Sequence, residues 1–280
     1  MFNLIKKKKY TKNLVNLIWM VMLGVSAMIF TNSVSADERL FTYSYEADAV
    51  LPKGGWEFEQ WVTLKEGKDE GKFHRWEFRE EMEYGLTDRL TTAVYLNFRD
   101  TAVDMEGDAN DSEAFEFKGV SSEWKYMLLS PHVYPIGVLL YLEVGYDGEE
   151  LELEEKLILE RILTERWTLV GNIIGEEEWE YEDEGTATEG VLALTAGLSY
   201  KLNDNWAVGL ELVNHREYPE YEEEEHSAYF LGPNIHYGNG KWWTTLTVLP
   251  QIYGEPETED NLQLEEHERL EVRWLTGINF

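Results

Sequence analysis

Charged residues recur at every second position through much of this chain. Glu57 and Glu59 form one such pair, and Glu77, Arg79, Glu81 and Glu83 form a longer run. Glu123 and Lys125, Glu143, then Glu152, Glu154, Lys156 and Glu160 continue it, followed by Glu211 and by Glu271 with Arg273. Side chains two residues apart share one face of a strand. Each run therefore presents its charges to one side of an extended segment. Gathered around a common interior, carboxylates with a few cations would line a passage for cations or neutral solutes. If the same charges paired across that interior, they would plug it instead.

Other chemistries find less support. A Ser–His pair for lipid hydrolysis would need His215 and Ser227 on one face, and alternation puts them on opposite faces. His215 and His236 fall near opposite ends of paired strands, too far apart to share a metal. The other histidines (His74, His132, His226 and His267) read as ordinary loop or lumen residues. No Gly-x-Ser-x-Gly, His-Glu-x-x-His or phosphate-loop motif occurs, so no catalytic residue, cofactor or metal ligand is assigned. Three acidic runs lie between apolar segments: Asp104, Glu106, Asp108, Asp111 and Glu113; Glu176, Glu177, Glu178, Glu180, Glu182, Asp183 and Glu184; Glu220 and Glu222, Glu223, Glu224, Glu225. They are candidates for divalent cations bridged to lipopolysaccharide. EF-hand spacing is absent, and a solvated, self-repelling surface accounts for them as well.

Composition narrows the class. The net charge is −31. Because residues 1–36 hold Lys6, Lys7, Lys8, Lys9 and Lys12 and no acid, the remainder is more negative still. Such a polyanion repels nucleic acid, which excludes DNA or RNA as a partner. Cysteine is absent, and with it disulfides and thiolate metal sites. The basic start, the apolar run over 14–30 and Val34-Ser35-Ala36 before Asp37 read as a secretory signal with its cleavage site. An uncleaved anchor is the alternative, since the apolar run is near the lower limit of a span.

The elements that must position the charges follow. Alternating segments of about ten residues, the length a tilted strand needs to cross a bilayer, are expected over 56–64, 75–84, 90–98, 115–128, 136–146, 151–163, 167–174, 191–202, 206–215, 229–237, 242–252 and 270–280. In the last of them Leu270, Val272, Trp274, Ile278 and Phe280 oppose Glu271, Arg273, Gly277 and Asn279. Connections alternate in kind. Those at 66–71, 100–112, 176–190, 217–225 and 254–266 are long and acidic, with 147–150 a short exception. Those at 85–88, 164–166, 203–205 and 238–240 are tight and rich in turn residues, and 129–135 is longer with two prolines. Long loops on one rim and short turns on the other are the layout of an outer-membrane barrel.

Trp56, Trp76, Tyr84, Trp124, Tyr146, Trp167, Trp206, Tyr229, Tyr237, Trp242 and Trp274 lie mostly near segment ends, where an amphipathic ring suits a membrane interface. Gln60, Glu80, Glu155 and Arg161 break the pattern by pointing at lipid. Arg161 can snorkel from near a turn. For Glu80 and Glu155 the sequence leaves two readings, a β-bulge that flips parity or a protein contact on that face.

The segment Leu40-Phe41-Thr42-Tyr43-Ser44-Tyr45-Glu46-Ala47-Asp48, with Leu51-Pro52-Lys53-Gly54-Gly55-Trp56-Glu57, resembles the opening of an uncharacterised bacterial outer-membrane β-barrel family. That family is akin to the outer-membrane proteins assigned to a phenol meta-cleavage pathway. Arg79-Glu80-Glu81-Met82-Glu83-Tyr84-Gly85-Leu86-Thr87-Asp88-Arg89-Leu90 is similar to its strand–turn–strand signature. The likeness covers residues 40–100 and implies passage of an aromatic or other small solute. It carries over no catalytic or binding residue.

The sequence thus predicts an all-β, transmembrane, antiparallel up-and-down barrel of about twelve strands over 56–280, with long acidic extracellular loops and short periplasmic turns. Residues 1–36 are the expected signal peptide, and 37–55 a periplasmic extension that partly enters the lumen. The expected function is passive or gated passage of small solutes across the outer membrane. A structural or adhesin-like barrel with cation-binding loops is the alternative, and an outer-membrane lipid hydrolase a minor one. Expected partners are outer-membrane lipid, lipopolysaccharide and the barrel-assembly machinery, the last through the terminal strand ending in Phe280.

Overall fold

The computed structural model describes residues 38–69, 72–104, 112–182 and 185–280. The expected leader lies outside them, as do Glu106, Asp108 and Asp111 of the first acidic run and Asp183 and Glu184 of the second. Among the described residues twelve strands appear: β1 (Trp56–Glu66), β2 (Lys72–Thr87), β3 (Leu90–Asp104), β4 (Ser112–Leu129), β5 (Gly137–Tyr146), β6 (Glu150–Ile162), β7 (Trp167–Glu182), β8 (Gly185–Lys201), β9 (Trp206–Pro219), β10 (His226–Gly238), β11 (Trp242–Glu255) and β12 (Leu270–Asn279). Each pairs antiparallel with its sequence neighbours, and β1 pairs with β12 to close the barrel. Closure leaves no strand edge unpaired.

Alternation sorts the faces. Val94, Phe117, Leu210 and Trp274 are roughly half exposed on the outside. Glu57, Glu59, Trp61, Tyr95 and Glu123 are buried inside. Three short turns share one construction. Thr164 Oγ1, Asn203 Oδ1 and Asn239 Oδ1 each accept the backbone N–H of the tryptophan three residues on (Trp167, Trp206 and Trp242), all at 3.1 Å. The turn residue closes the reversal, and the tryptophan begins the next strand at the rim. There it meets a tyrosine of the neighbouring strand: Trp167 with Tyr200 at 4.7 Å, and Trp206 and Trp242 with Tyr237 at 4.9 and 5.0 Å between ring centres; Trp56 meets Tyr84 in the same way at 4.5 Å. An aromatic girdle therefore marks the short-turn rim.

Of the two readings left open at Glu80 and Glu155, the β-bulge is overturned. Register runs unbroken through Gln60↔Glu80↔Leu96 and through Leu142↔Glu155↔Gly175. Parity holds there, and Gln60 Nε2 donates to Glu80 Oε1 across the outer face at 2.9 Å. Register shifts fall instead at Gly85/Thr87, Leu96/Phe98, Met127/Leu129 and Tyr229/Phe230. The expected loop at 176–190 is mostly strand, because β7 runs to Glu182 and β8 starts at Gly185. Glu176 and Glu178 share the inner face of β7 with Glu152 and Glu154 of β6, and Glu177 faces outward with Leu153.

Residues 38–55 lie inside the barrel and reach further than a partial entry. The segment starts beside Gly238 and Gly240 at the short-turn rim, climbs to the level of Glu211 and Glu271, and descends to Thr91 and Gly85. Phe41, Tyr45, Ala47, Ala49 and Leu51 are buried within it. The wall is cut to receive it. A Cβ on Gly197 would stand 2.6 Å from the Phe41 ring, and one on Gly85 2.2 Å from the Pro52 carbonyl oxygen.

Candidate functional site

A chain threaded through a lumen must satisfy its backbone N–H groups without a strand ladder. Here wall side chains supply the acceptors. Glu211 on β9 accepts three successive N–H groups, from Thr42 (3.0 Å), Tyr43 (2.8 Å) and Ser44 (3.0 Å). Asn172 accepts Tyr45 N–H at 2.7 Å, Glu160 accepts Ala47 N–H at 2.8 Å, and the Thr91 hydroxyl accepts Leu51 N–H at 2.8 Å. At the start of the segment the Glu38 carboxylate takes Gly240 N–H at 2.6 Å. Burial alone would raise the Glu38 carboxyl, but the His236 side chain and the Gly240 N–H hold it below its ordinary value.

The lumen around this segment is filled. The Arg39 guanidinium sits 3.8 Å from the Tyr45 ring centre and 4.6 Å from that of Trp61, with Glu59 at 4.0 Å. Lys125 bonds Glu83 at 2.6 Å and meets Glu123 at 3.3 Å. Arg79 pairs with Glu143 and lies 4.1 Å over Tyr95. Lys156 pairs with Glu154 at 2.9 Å and lies 4.1 Å over Tyr141, and Arg273 lies 3.9 Å over Tyr43. Guanidinium and ammonium groups on aromatic faces gain most when desolvated. Around them pack Ala93, Leu139, Ile158, Trp243 and Leu275.

Toward the long-loop rim, on the β2–β7 side, the lumen opens into a cavity of about 340 Å³. Glu77, Arg79, Glu143, Glu150, Glu152, Glu176 and Glu178 line it, with Arg99, Lys118 and Asp147. Lys118 is tied to Asp147 at 2.7 Å and Glu150 at 3.5 Å. Acids outnumber cations in this lining, so its field favours positive charge.

All sixteen charges read from the alternation occupy inward positions, but they do not form one ring. Glu57, Glu59, Glu81, Glu83, Glu123 and Lys125 are buried around the aromatic core, and Glu160, Glu211 and Glu271 hold the threaded segment. Arg273 caps that segment's Tyr43. Only Glu77, Arg79, Glu143 and Glu152 border the open cavity, while Glu154 and Lys156 pair beside it. Glu176 and Glu178 also border it, although the sequence placed them in a loop. Nothing local in the sequence announces the partners of Arg39, which lie on other elements. Ser227 stands opposite Arg216, with Ala228 opposite His215, so no Ser–His pair forms. His236 bonds the Arg39 carbonyl near the short-turn rim.

A second cluster lies at the long-loop end on the β9–β12 side. His215, Glu217, His226 and His267 meet there, with His226 Nε2 3.1 Å from Glu217 Oε2 and His226 Nδ1 3.0 Å from His267 Nε2. Burial and the neighbouring imidazoles of His215 and His226 push His267 down to about 3.

Residues 33–280 match the family of unknown function DUF6662, and the chain belongs to that family. No curated protein matches it. Among solved structures it is similar to the NanC porin, with a TM-score of 0.51 at 10% identity over 80% of this chain and 98% of that one. A KdgM porin in complex with disordered oligogalacturonate gives 0.48 at 9% identity over 80% and 99%. The TodX monoaromatic hydrocarbon channel gives 0.42 at 9% over 81% and 90%. The fold is that of outer-membrane porins.

Proposed function

We propose that this protein is an outer-membrane channel for small solutes, cations by preference, whose lumen is closed by its own residues 38–55. The observation that carries the reading is how that segment is held. Its N–H groups rest largely on wall side chains, Glu211 foremost, and among the described residues only Gly54 and Gly55 join the wall through backbone bonds, to Gly85. Side-chain acceptors can be released singly, whereas a strand ladder separates as a unit. Above the segment, the acid-lined cavity gathers positive charge at the long-loop mouth. The apolar outer band and the aromatic girdle suit outer-membrane lipid, with long loops outside and short turns in the periplasm. In that setting β12 offers the terminal strand that assembly machinery engages, and the acidic loops offer carboxylates for divalent ions shared with lipopolysaccharide.

The filled lower lumen favours a second reading, a structural barrel with no passage. The resemblance of residues 40–100 to outer-membrane proteins assigned to phenol meta-cleavage, if it reflects kinship, would make the solute aromatic. Planar-bilayer recording decides between passage and none. The mature chain should show rare or small openings, and a chain carrying Glu211→Gln and Gly197→Leu, which unlatches the segment and displaces Phe41, should give ohmic steps with cation preference. Silence from that variant, with heat-modifiable migration confirming a folded barrel, would leave the structural reading in place.

A further inference from the structure

The histidine–glutamate cluster lies apart from the acid-lined cavity, and no step of the channel reading uses it. Strand register supplies three of its members. Glu217 on β9 stands opposite His226 on β10, and His215 opposite Ala228, so all three project to the same inner face. The fourth, His267, arrives on the β11–β12 connection, residues 256–269, which folds back into the barrel mouth. Gln263 Oε1 accepts the backbone N–H of His267 at 3.2 Å and of Glu266 at 3.0 Å. Gln251 Nε2 in turn donates to the carbonyls of Gln263 (2.9 Å) and Glu268 (3.1 Å). Two glutamines thus fix a loop so that one imidazole reaches the other three groups.

Hydrogen bonding alone accounts for only part of this arrangement. His226 Nε2 meets Glu217 Oε2 at 3.1 Å and His226 Nδ1 meets His267 Nε2 at 3.0 Å, the donor in the second contact being set by the tautomers. His215 Nδ1 is 3.6 Å from Glu217 Oε1, too far for a hydrogen bond. One ligand atom each of His215, Glu217 and His267 nevertheless lies within 4.8 Å of the other two. Bonds of about 2.0–2.2 Å to a tetrahedral ion would set such atoms about 3.3 Å apart, so the three side chains would draw together on binding. Two imidazoles and a carboxylate select the borderline transition ions. Calcium and magnesium prefer all-oxygen shells.

We propose that His215, Glu217 and His267 form a binding site for one divalent transition-metal ion of the zinc class, with His226 as the positioning residue that orients Glu217. A ligand's hydrogen-bond partner tunes its grip on the ion in this way.

Calorimetry on the tag-free mature chain refolded in detergent tests it, with zinc chloride titrated in the presence of excess Ca²⁺ and Mg²⁺. One saturable site is expected, weakened at least tenfold by His215→Gln, by Glu217→Gln and by His267→Gln, and unaffected by His132→Gln at the opposite rim. Zinc binding that survives His215→Gln and His267→Gln, or that Ca²⁺ abolishes, overturns the proposal. Copper(II) loaded into the unsubstituted chain gives a second readout that does not depend on variants folding. Nitrogen hyperfine structure from two imidazoles supports the site, and an all-oxygen spectrum sinks it.

Discussion

The two halves of the lumen are lined by the same strands with the same alternation, yet they are built differently. Toward the short turns, Trp61, Tyr95, Tyr141 and Trp243 pack with Tyr45 of the threaded segment, and Arg39 and Lys125 sit among buried glutamates. That half resembles the interior of a soluble protein, except that much of its polarity is ionic. Toward the long loops, on the β2–β7 side, Glu152, Glu176 and Glu178 border open space and carry no such packing. Alternation decides only that a residue faces in. Whether it then meets solvent or protein depends on what else occupies the interior, and here residues 38–55 fill the half toward the short turns and leave the β2–β7 side of the other half open.

The contrast can be broken by substitution. Arg39→Met should have the largest effect, because removing one partner of a buried ion pair typically costs about 3–5 kcal/mol. Urea unfolding in detergent should show the midpoint falling well below that of the unsubstituted chain. If Arg39→Met costs no more than a cavity-wall change, the two halves are not distinct. Glu211→Gln weakens three charge-assisted acceptances at once, each of a kind worth about 1.5–3 kcal/mol. Its clearest readout is release of the segment, seen as faster tryptic cleavage after Arg39, and resistance equal to that of the unsubstituted chain would remove Glu211 as the latch.

Glu176→Lys in the cavity wall should leave the unfolding midpoint nearly unchanged, within about 0.5 kcal/mol. In the unlatched channel it should shift ion preference away from cations. A midpoint drop as large as that of Arg39→Met would show that the upper half is packed after all.

Acid gives the smallest effect and sharpens the lower boundary. The Glu38 carboxyl titrates below its unfolded value, so its contribution is complete above that value, about 4.5, and is lost as pH falls through the lower folded value. The segment's start should therefore loosen only in that acid range, and Glu38→Gln should remove the dependence. Tryptic cleavage is unsuitable at such pH, so pepsin sensitivity near residue 40 is the measurement.

Strand parity was legible because a period of two survives without knowledge of the partner strand. The tight turns were legible for a similar reason, since Thr164, Asn203 and Asn239 act on residues two and three positions ahead. The outward position of Glu80 follows from parity, but its partner Gln60 is a cross-strand neighbour, identified only once the register of β1 on β2 is known. Residues 38–55 have no strand alternation to read, and the acceptor for Thr42 N–H lies 169 positions away on Glu211. His226 could have been matched to Glu217 from the β9–β10 hairpin. His267 had no local signal, because two glutamines on separate elements carry it into place.

Sequence alone settled the face of most strand residues and the place of the tight turns, because those features depend on neighbours a few bonds away. Tertiary structure decided that residues 38–55 fill the half of the lumen toward the short turns, and that three histidines meet one glutamate. Those outcomes depend on contacts between groups far apart along the chain, which arise only when the barrel closes and brings distant strands around one interior.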